Sequence, residues 1–361
     1  MLYNLLYPLH TAFSVLNVFK YITFRAIMAA LTAFIMSLVF GPLVIKKLKE
    51  LQVGEYITKG DSDKLDSMHS AKQGTPTMGG IFILIAIFIA TLLWADLSNR
   101  FIWIALFATT WLGVTGFLDD YMKLTTKKKG IKGRVKLISQ VILGLIVGSI
   151  LFMDPAYSTQ LDIPFLKNIS IDLGILYVFF VALVITGSSN AVNLTDGLDG
   201  LAVGCVVIAT IAYSVLSYLT GNIKFSDYLL IPYIRGAGEL TVFCASIIGA
   251  GLGFLWFNCF PAAIFMGDVG SLALGGALGT VAVLIKKEFL LMIVGGIFVM
   301  EAMSVILQVA SFKLFKKRIF KIAPLHHHFQ FLGWKENKVI VRFWILAIIF
   351  AFLTLVTLKT R

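Results

Sequence analysis

With 361 residues, 58% of them hydrophobic and only 14% charged, the chain is too oily for a soluble globule. A net charge of +12 would suit nucleic acid, but the basic residues gather in a few loops between long apolar stretches, which fits a membrane surface instead. Cys205, Cys244 and Cys259 are odd in number and lack metal-ligand spacing, so they read as small buried hydrophobes rather than a disulfide or zinc framework.

The N-terminal stretch is apolar, carries no positive charge before Lys20 and shows no small-residue cleavage site, so it reads as an interfacial helix rather than a signal peptide. About 20 apolar residues cross a bilayer as a helix. Stretches near that length fall at residues 26–45, 78–95, 101–118, 137–153 and 173–186, then at 201–219, 240–257, 269–285, 289–312 and 339–358. The expectation is an all-α polytopic membrane protein with about ten transmembrane helices in a single domain, 1–361. The loops after the first, third and ninth spans hold twenty of the 31 lysines and arginines. The positive-inside rule makes that side cytoplasmic and leaves both termini on the periplasmic side. The longest outer loop, 154–172, alternates polar and apolar residues around 160–163 and 169–172, a pattern that can pair as a small periplasmic β-hairpin.

The polar clusters all fall on the basic side. Residues 72–80 precede the second span, Asp119-Asp120 closes the third, 190–199 joins the fifth to the sixth, Asp268 joins the seventh to the eighth, and His326-His327-His328 follows the ninth. Chance would scatter such groups over both faces, so the convergence points to one cytoplasmic-facing cleft. Charged groups at membrane depth are costly and mark function by default. Asp119, Asp120, Asp196, Asp199 and Asp268 beside many lysines suit a divalent cation and phosphates, because hard oxygen ligands hold Mg²⁺ while it shares its coordination with a substrate. Asn190, Asn193, Asp196 and Asp199 recur every third residue; Gly197 and Gly200 argue against continuous helix, so a polar loop lining a cavity is expected there. Gly267 and Gly270 flank Asp268 at a helix start, where free N–H groups favour an anion. Gly275 and Gly279 continue as a small-residue packing face. Glu301 and Gln308, two turns apart, face either the cavity or a neighbouring helix.

Gly74-Thr-Pro-Thr-Met-Gly-Gly80, Phe117-Leu-Asp-Asp-Tyr121, Asn190-Ala-Val-Asn-Leu-Thr-Asp-Gly-Leu-Asp-Gly200, Phe265-Met-Gly-Asp-Val-Gly-Ser271 and Ala323-Pro-Leu-His-His-His-Phe329 together resemble the polyprenyl-phosphate N-acetylhexosamine-1-phosphate transferases over essentially the whole chain. The resemblance implies an enzyme of the bacterial cytoplasmic membrane. It would transfer phospho-N-acetylmuramoyl-pentapeptide from its UDP carrier to undecaprenyl phosphate with Mg²⁺, release UMP, and act as a homodimer. By the same resemblance Asp268 is the metal ligand, Asp119 the base with Asp120 beside it, and His326 belongs with the catalytic groups. Lys72, Thr75, Asn190, Asp196, Phe265, Gln308 and His327 match substrate positions, with Asn193, Asp199 and His328 alongside. Lys123 and Lys136 would steady the diphosphate. One-step transfer and a covalent aspartyl route both stay open. The rival readings are a transporter, which would want acids along a midplane path and an inverted repeat, and a sibling transferase using UDP-N-acetylglucosamine.

Overall fold

The structure, a computed structural model, describes residues 1–51, 74–126, 130–162 and 170–359. Nine helices among the described residues are long and apolar enough to cross a membrane, and Gly80–Trp94 is a shorter apolar helix. We number the ten in chain order: α1 (Ile22–Glu50), α2 (Gly80–Trp94), α3 (Arg100–Thr126), α4 (Gly133–Phe152), α5 (Leu176–Thr195), α6 (Leu201–Thr220), α7 (Leu240–Asn258), α8 (Gly267–Leu284), α9 (Gly296–Phe315) and α10 (Glu336–Val356). All ten apolar stretches are thus helical. Short helical turns at Leu2–Leu6, Tyr7–Thr11 and Ser14–Lys20 precede α1.

α8 is the axis of the molecule. Every residue from Val269 to Leu284 is buried, against α2, α3, α5 and α6, whose close approach its many glycines and alanines allow. The small-residue face packs as its spacing implies: Ser188 of α5 lies against Gly275 and Gly279, and its hydroxyl donates to the Gly275 carbonyl. The outer helices α1, α9 and α10 instead leave Ile35, Leu307 and Phe352 exposed, as a lipid-facing surface does.

Between α4 and α5, β1 (Gln160–Asp162) pairs antiparallel with β2 (Ser170–Asp172), in the register Gln160 to Asp172 and Leu161 to Ile171. Lys286 and Lys287, just past the C-terminal end of α8, anchor this hairpin through the Ser158 carbonyl at 2.8 Å and the Asp162 carboxylate at 3.0 Å. Asp268 stands at the other end of the same helix.

Four expectations are corrected. α5 runs through Thr195, so Asn190 and Asn193 stand on helix and only the segment from Asp196 to Gly200 is a turn. The helix continues because its polar residues have partners: Asn190 donates back to the Thr186 carbonyl, and Asn193 reaches across to α8. Asp119 and Asp120 lie within α3 rather than at its end. The ninth span is interrupted at Gly295, which separates a short helix, Leu290–Val294, from α9. Cys259 is exposed, because α7 stops one residue before it, while Cys205 and Cys244 are buried as expected.

Candidate active site

Four helices bring their polar ends together on the basic side. α3 supplies Asp119, Asp120 and Lys123 from adjacent turns, α4 supplies Lys136 from its first turn, α5 supplies Asn193 from its last, and α8 opens with Asp268. Two glycines allow it. Gly267 has a φ of +72°, a left-handed conformation that strains any residue with a Cβ, and it turns the chain into α8. A Cβ on Gly116 would lie 2.2 Å from the Asp268 carbonyl oxygen, so α3 meets α8 only where that side chain is a hydrogen.

One oxygen from each of Asp119, Asp120 and Asp268 falls within 4.8 Å of the others. Lys123 Nζ sits 2.7 Å from Asp119, 3.3 Å from Asp120 and 3.0 Å from Asp268, and Lys136 Nζ binds Asp119 at 3.1 Å and Asp268 at 2.5 Å. The other carboxylate oxygens are engaged as well. Ile131 N donates to Asp119 Oδ1 at 2.6 Å, Val269 N to Asp120 Oδ2 at 3.2 Å, and Asn193 Nδ2 to Asp268 Oδ1 at 2.7 Å. Asn193 also donates to Ser271 Oγ, which fixes its amide. Three carboxylates against two ammonium groups leave a net negative pocket of oxygen donors, without sulfur or imidazole. That donor set suits Mg²⁺, and it is the one such cluster among the described residues.

The surroundings explain how the cluster is held. Residues 76–80 run beside 265–266: Phe265 N donates to the Pro76 carbonyl, Gly79 N to that of Phe265 and Gly80 N to that of Met266. Thr75 and half-buried Phe265 are thereby brought to one rim. Lys72 lies outside the described residues. Asp199 is 4% exposed and accepts from Ala262 N at 3.0 Å, so it braces the loop before Asp268 rather than opening to solvent. Asp196 caps the end of α5 beside it.

The histidines point apart, as three successive helical residues must. His326 is 1% exposed, with its ring between Glu301 and Gly197 rather than against the three aspartates. His327 Nδ1 pairs with Gln330 Oε1 at 2.9 Å, and His328 Nδ1 accepts from Lys321 N at 3.1 Å. Gln308 uses both ends of its amide on the backbone of Ile319 and Phe320, holding the loop after α9.

Two supporting residues, Gln140 and Asn258, lie outside every motif of the sequence. Gln140, fully buried on α4, exchanges amide hydrogen bonds with Asn190, and Asn258 ties Gly200 N to the Ile264 carbonyl. Each is a lone amide inside an apolar stretch. In a membrane helix that is itself the clue, because an uncharged polar group there needs a partner.

A model of glycosyl transferase family 4 matches residues 102–286, and a phospho-N-acetylmuramoyl-pentapeptide-transferase signature matches residues 72–84. The phospho-N-acetylmuramoyl-pentapeptide-transferase of Citrifermentans bemidjiense is 55% identical over 362 residues, covering 100% of both chains. Those of Geobacter sp. (strain M21) and Desulfotalea psychrophila are 55% and 53% identical, again over 100% of both chains. The matched stretch contains the three converging aspartates and both lysines, and the signature contains the turn that lies against Phe265.

Proposed function

The chain belongs to the phospho-N-acetylmuramoyl-pentapeptide-transferase family, and from that premise we infer that the cluster of Asp119, Asp120 and Asp268 is its phosphoryl-transfer site. The enzyme moves phospho-N-acetylmuramoyl-pentapeptide from its UDP carrier to undecaprenyl phosphate, giving lipid I and UMP, the first membrane step of peptidoglycan synthesis. One phosphoanhydride P–O bond breaks and one forms, so the protein has mainly to position the groups and neutralise charge. The observation that carries the assignment is the convergence of three carboxylates within 4.8 Å under two lysines.

In this reading Asp268, with Asp120 beside it, holds Mg²⁺, which when bound neutralises the donor diphosphate and the departing UMP. Lys123, with 46% of its side chain exposed, is the amine with room to swing from the carboxylates to a phosphate. Lys136, at 17%, stays to bridge Asp119 and Asp268. Once Lys123 has swung to a phosphate, Asp119 Oδ2 loses one of its two lysine partners and has a lone pair for a proton from the acceptor phosphate when one is present. A phosphomonoester with a second pKa near ~6 is mostly ionised at neutral pH, so holding the lysines is the larger part of that residue's work. Direct transfer is favoured over an aspartyl intermediate, because Asp119 is 2% exposed and both its oxygens already accept hydrogen bonds. Phe265 offers a face for uracil at the rim, with Thr75, Asn190, Asp196 and His327 around the nucleotide.

The concentration of lysines on the site's side supports a multi-pass protein of the bacterial inner membrane with its cleft open to the cytoplasm and both termini periplasmic. The homodimer implied by the resemblance is a separate proposal, checked by crosslinking in native membranes. The transferase reading is tested by UMP release from purified protein with undecaprenyl phosphate, with and without Mg²⁺, comparing UDP-N-acetylmuramoyl-pentapeptide with UDP-N-acetylglucosamine. Release from the first donor alone, and with Mg²⁺ alone, is the expected result. Release from the second alone would move the chain to the sibling branch.

A further inference from the structure

Between α9 and the short helix Leu325–Phe331 lies a buried pair that includes His326, which the resemblance puts with the catalytic groups but which stands apart from the three aspartates. Glu301 is 0% exposed and His326 1% exposed. Glu301 grips one residue in two ways: Oε1 accepts from the His326 backbone N at 3.2 Å, and Oε2 stands 3.2 Å from the His326 ring Nδ1. Among the described residues His326 is the one basic group within 4.0 Å of this carboxylate. Enclosing an acid in a membrane protein is costly, which makes its partner the place to look for a function.

The other side of the ring shows what that is. The Nδ1 edge of the ring faces Glu301, which leaves Nε2 pointing away from that carboxylate. There it meets Gly197, where a Cβ would come within 2.3 Å of Nε2. Gly197 belongs to the turn that carries Asp196 and Asp199, and His326 opens the helix that carries His327. One side chain therefore spaces the two segments that bear candidate donor-binding groups.

Resting on the transferase reading, we propose that Glu301 is a positioning residue for the nucleoside-diphosphate donor: through His326 it presses the helix Leu325–Phe331 against Gly197 and sets the gap the nucleotide enters. His326 then acts by packing, without touching the reacting atoms. Glu301→Gln retains an acceptor for the His326 backbone N–H and is the mild variant. Glu301→Ala removes both contacts. Gly197→Ala leaves both ionisable groups in place and moves the ring from the other side.

The test is steady-state UMP release by the full-length enzyme in lipid nanodiscs, titrating donor and undecaprenyl phosphate separately. For Glu301→Ala and Gly197→Ala the donor KM rises about tenfold or more, while the acceptor KM and kcat change by less than about threefold. Glu301→Gln recovers most of the donor KM, and the Ala/Ala double variant is no worse than the poorer single, as for one shared device. A fall in kcat of about a hundredfold at unchanged donor KM, in protein that keeps its acceptor KM, would make His326 a group of the chemical step and overturn the proposal. Unchanged constants with only a smaller active fraction would reduce the pair to a structural tie and overturn it equally. The wild type, measured alongside, tests the transferase reading independently: absence of UMP there rejects that reading, whereas the KM pattern of the variants bears on Glu301.

Discussion

Asp268 receives Asn193 on one carboxylate oxygen and Lys123 and Lys136 on the other. Replacing it with asparagine keeps the shape but removes the charge that both lysines and a divalent cation require. Asp268→Asn is expected to lower UMP release by roughly a thousandfold even at saturating Mg²⁺; near-normal turnover would take Asp268 out of the metal role. Gln140 works one layer further out. Its Oε1 accepts from Asn190 Nδ2 at 2.7 Å and its Nε2 donates back at 3.3 Å, so the Asn190 amide is held in one orientation. Gln140→Leu fills the same space but leaves part of the Asn190 amide without its partner, at a cost of about 1–3 kcal/mol. A lower melting temperature and a several-fold rise in donor KM are the expected results, and an unchanged donor KM would show that Asn190 does not depend on this partner.

At the scale of elements, the loop leaving α8 is as charged as the site but closed to water. Lys286, Lys287 and Glu288 are each at most 6% exposed. Lys286 adopts a φ of +55°, which lets its amine donate to the Ser158 carbonyl and lie 4.0 Å from the centre of the Tyr177 ring. Burial pulls its pKa down from 10.5 to about 8, against the opposing pull of Glu288 and Asp162, while Lys287 adds a smaller lowering. Between pH 8 and 10 the unfolded lysine still holds its proton and the folded one has released it, so stability rises with pH across that window, by about 2 kcal/mol. Two neighbours act in the other direction: burial raises the Glu288 carboxyl above its usual 4.5 and Tyr157 well above 10, so each loses stability as pH rises through its own folded-state value. The melting temperature of the wild type should climb from pH 8 to 10 while that of Lys286→Met stays flat; parallel curves would refute a charged Lys286 as the source. This loop shows what sequence reading cannot reach. Lys286-Lys287-Glu288 looks like any solvated turn until Lys286 and Lys287 are seen to bind Ser158 and Asp162, a contact that spans more than a hundred residues of chain.

At the scale of the whole molecule, what could be read in advance follows from the solvent. A bilayer requires every backbone group to be satisfied within its own segment, so continuous apolar runs translate directly into helices. The one-sided placement of Asp119, Asp268 and the histidines followed from counting crossings. The details that escaped are those fixed by partners distant in sequence: α5 continuing through Asn193, Asp199 committed to the loop at Ala262, and His326 enclosed by Glu301. The orientation of the whole assembly can be read out at one cysteine. Cys259, expected to be buried, is exposed at the end of α7, in the loop that leads to Asp268, whereas Cys205 and Cys244 are enclosed within α6 and α7. A membrane-impermeant maleimide therefore has one thiol to find, and that thiol reports the side on which the site lies. On the proposed orientation, in which the lysine-rich side is cytoplasmic, inverted vesicles should be labelled at Cys259 and right-side-out vesicles should not, with Cys259→Ser abolishing the signal. Labelling only from the outside would turn the molecule over. It would put the Asp119–Asp268 cluster on the face that a cytoplasmic nucleotide donor does not reach.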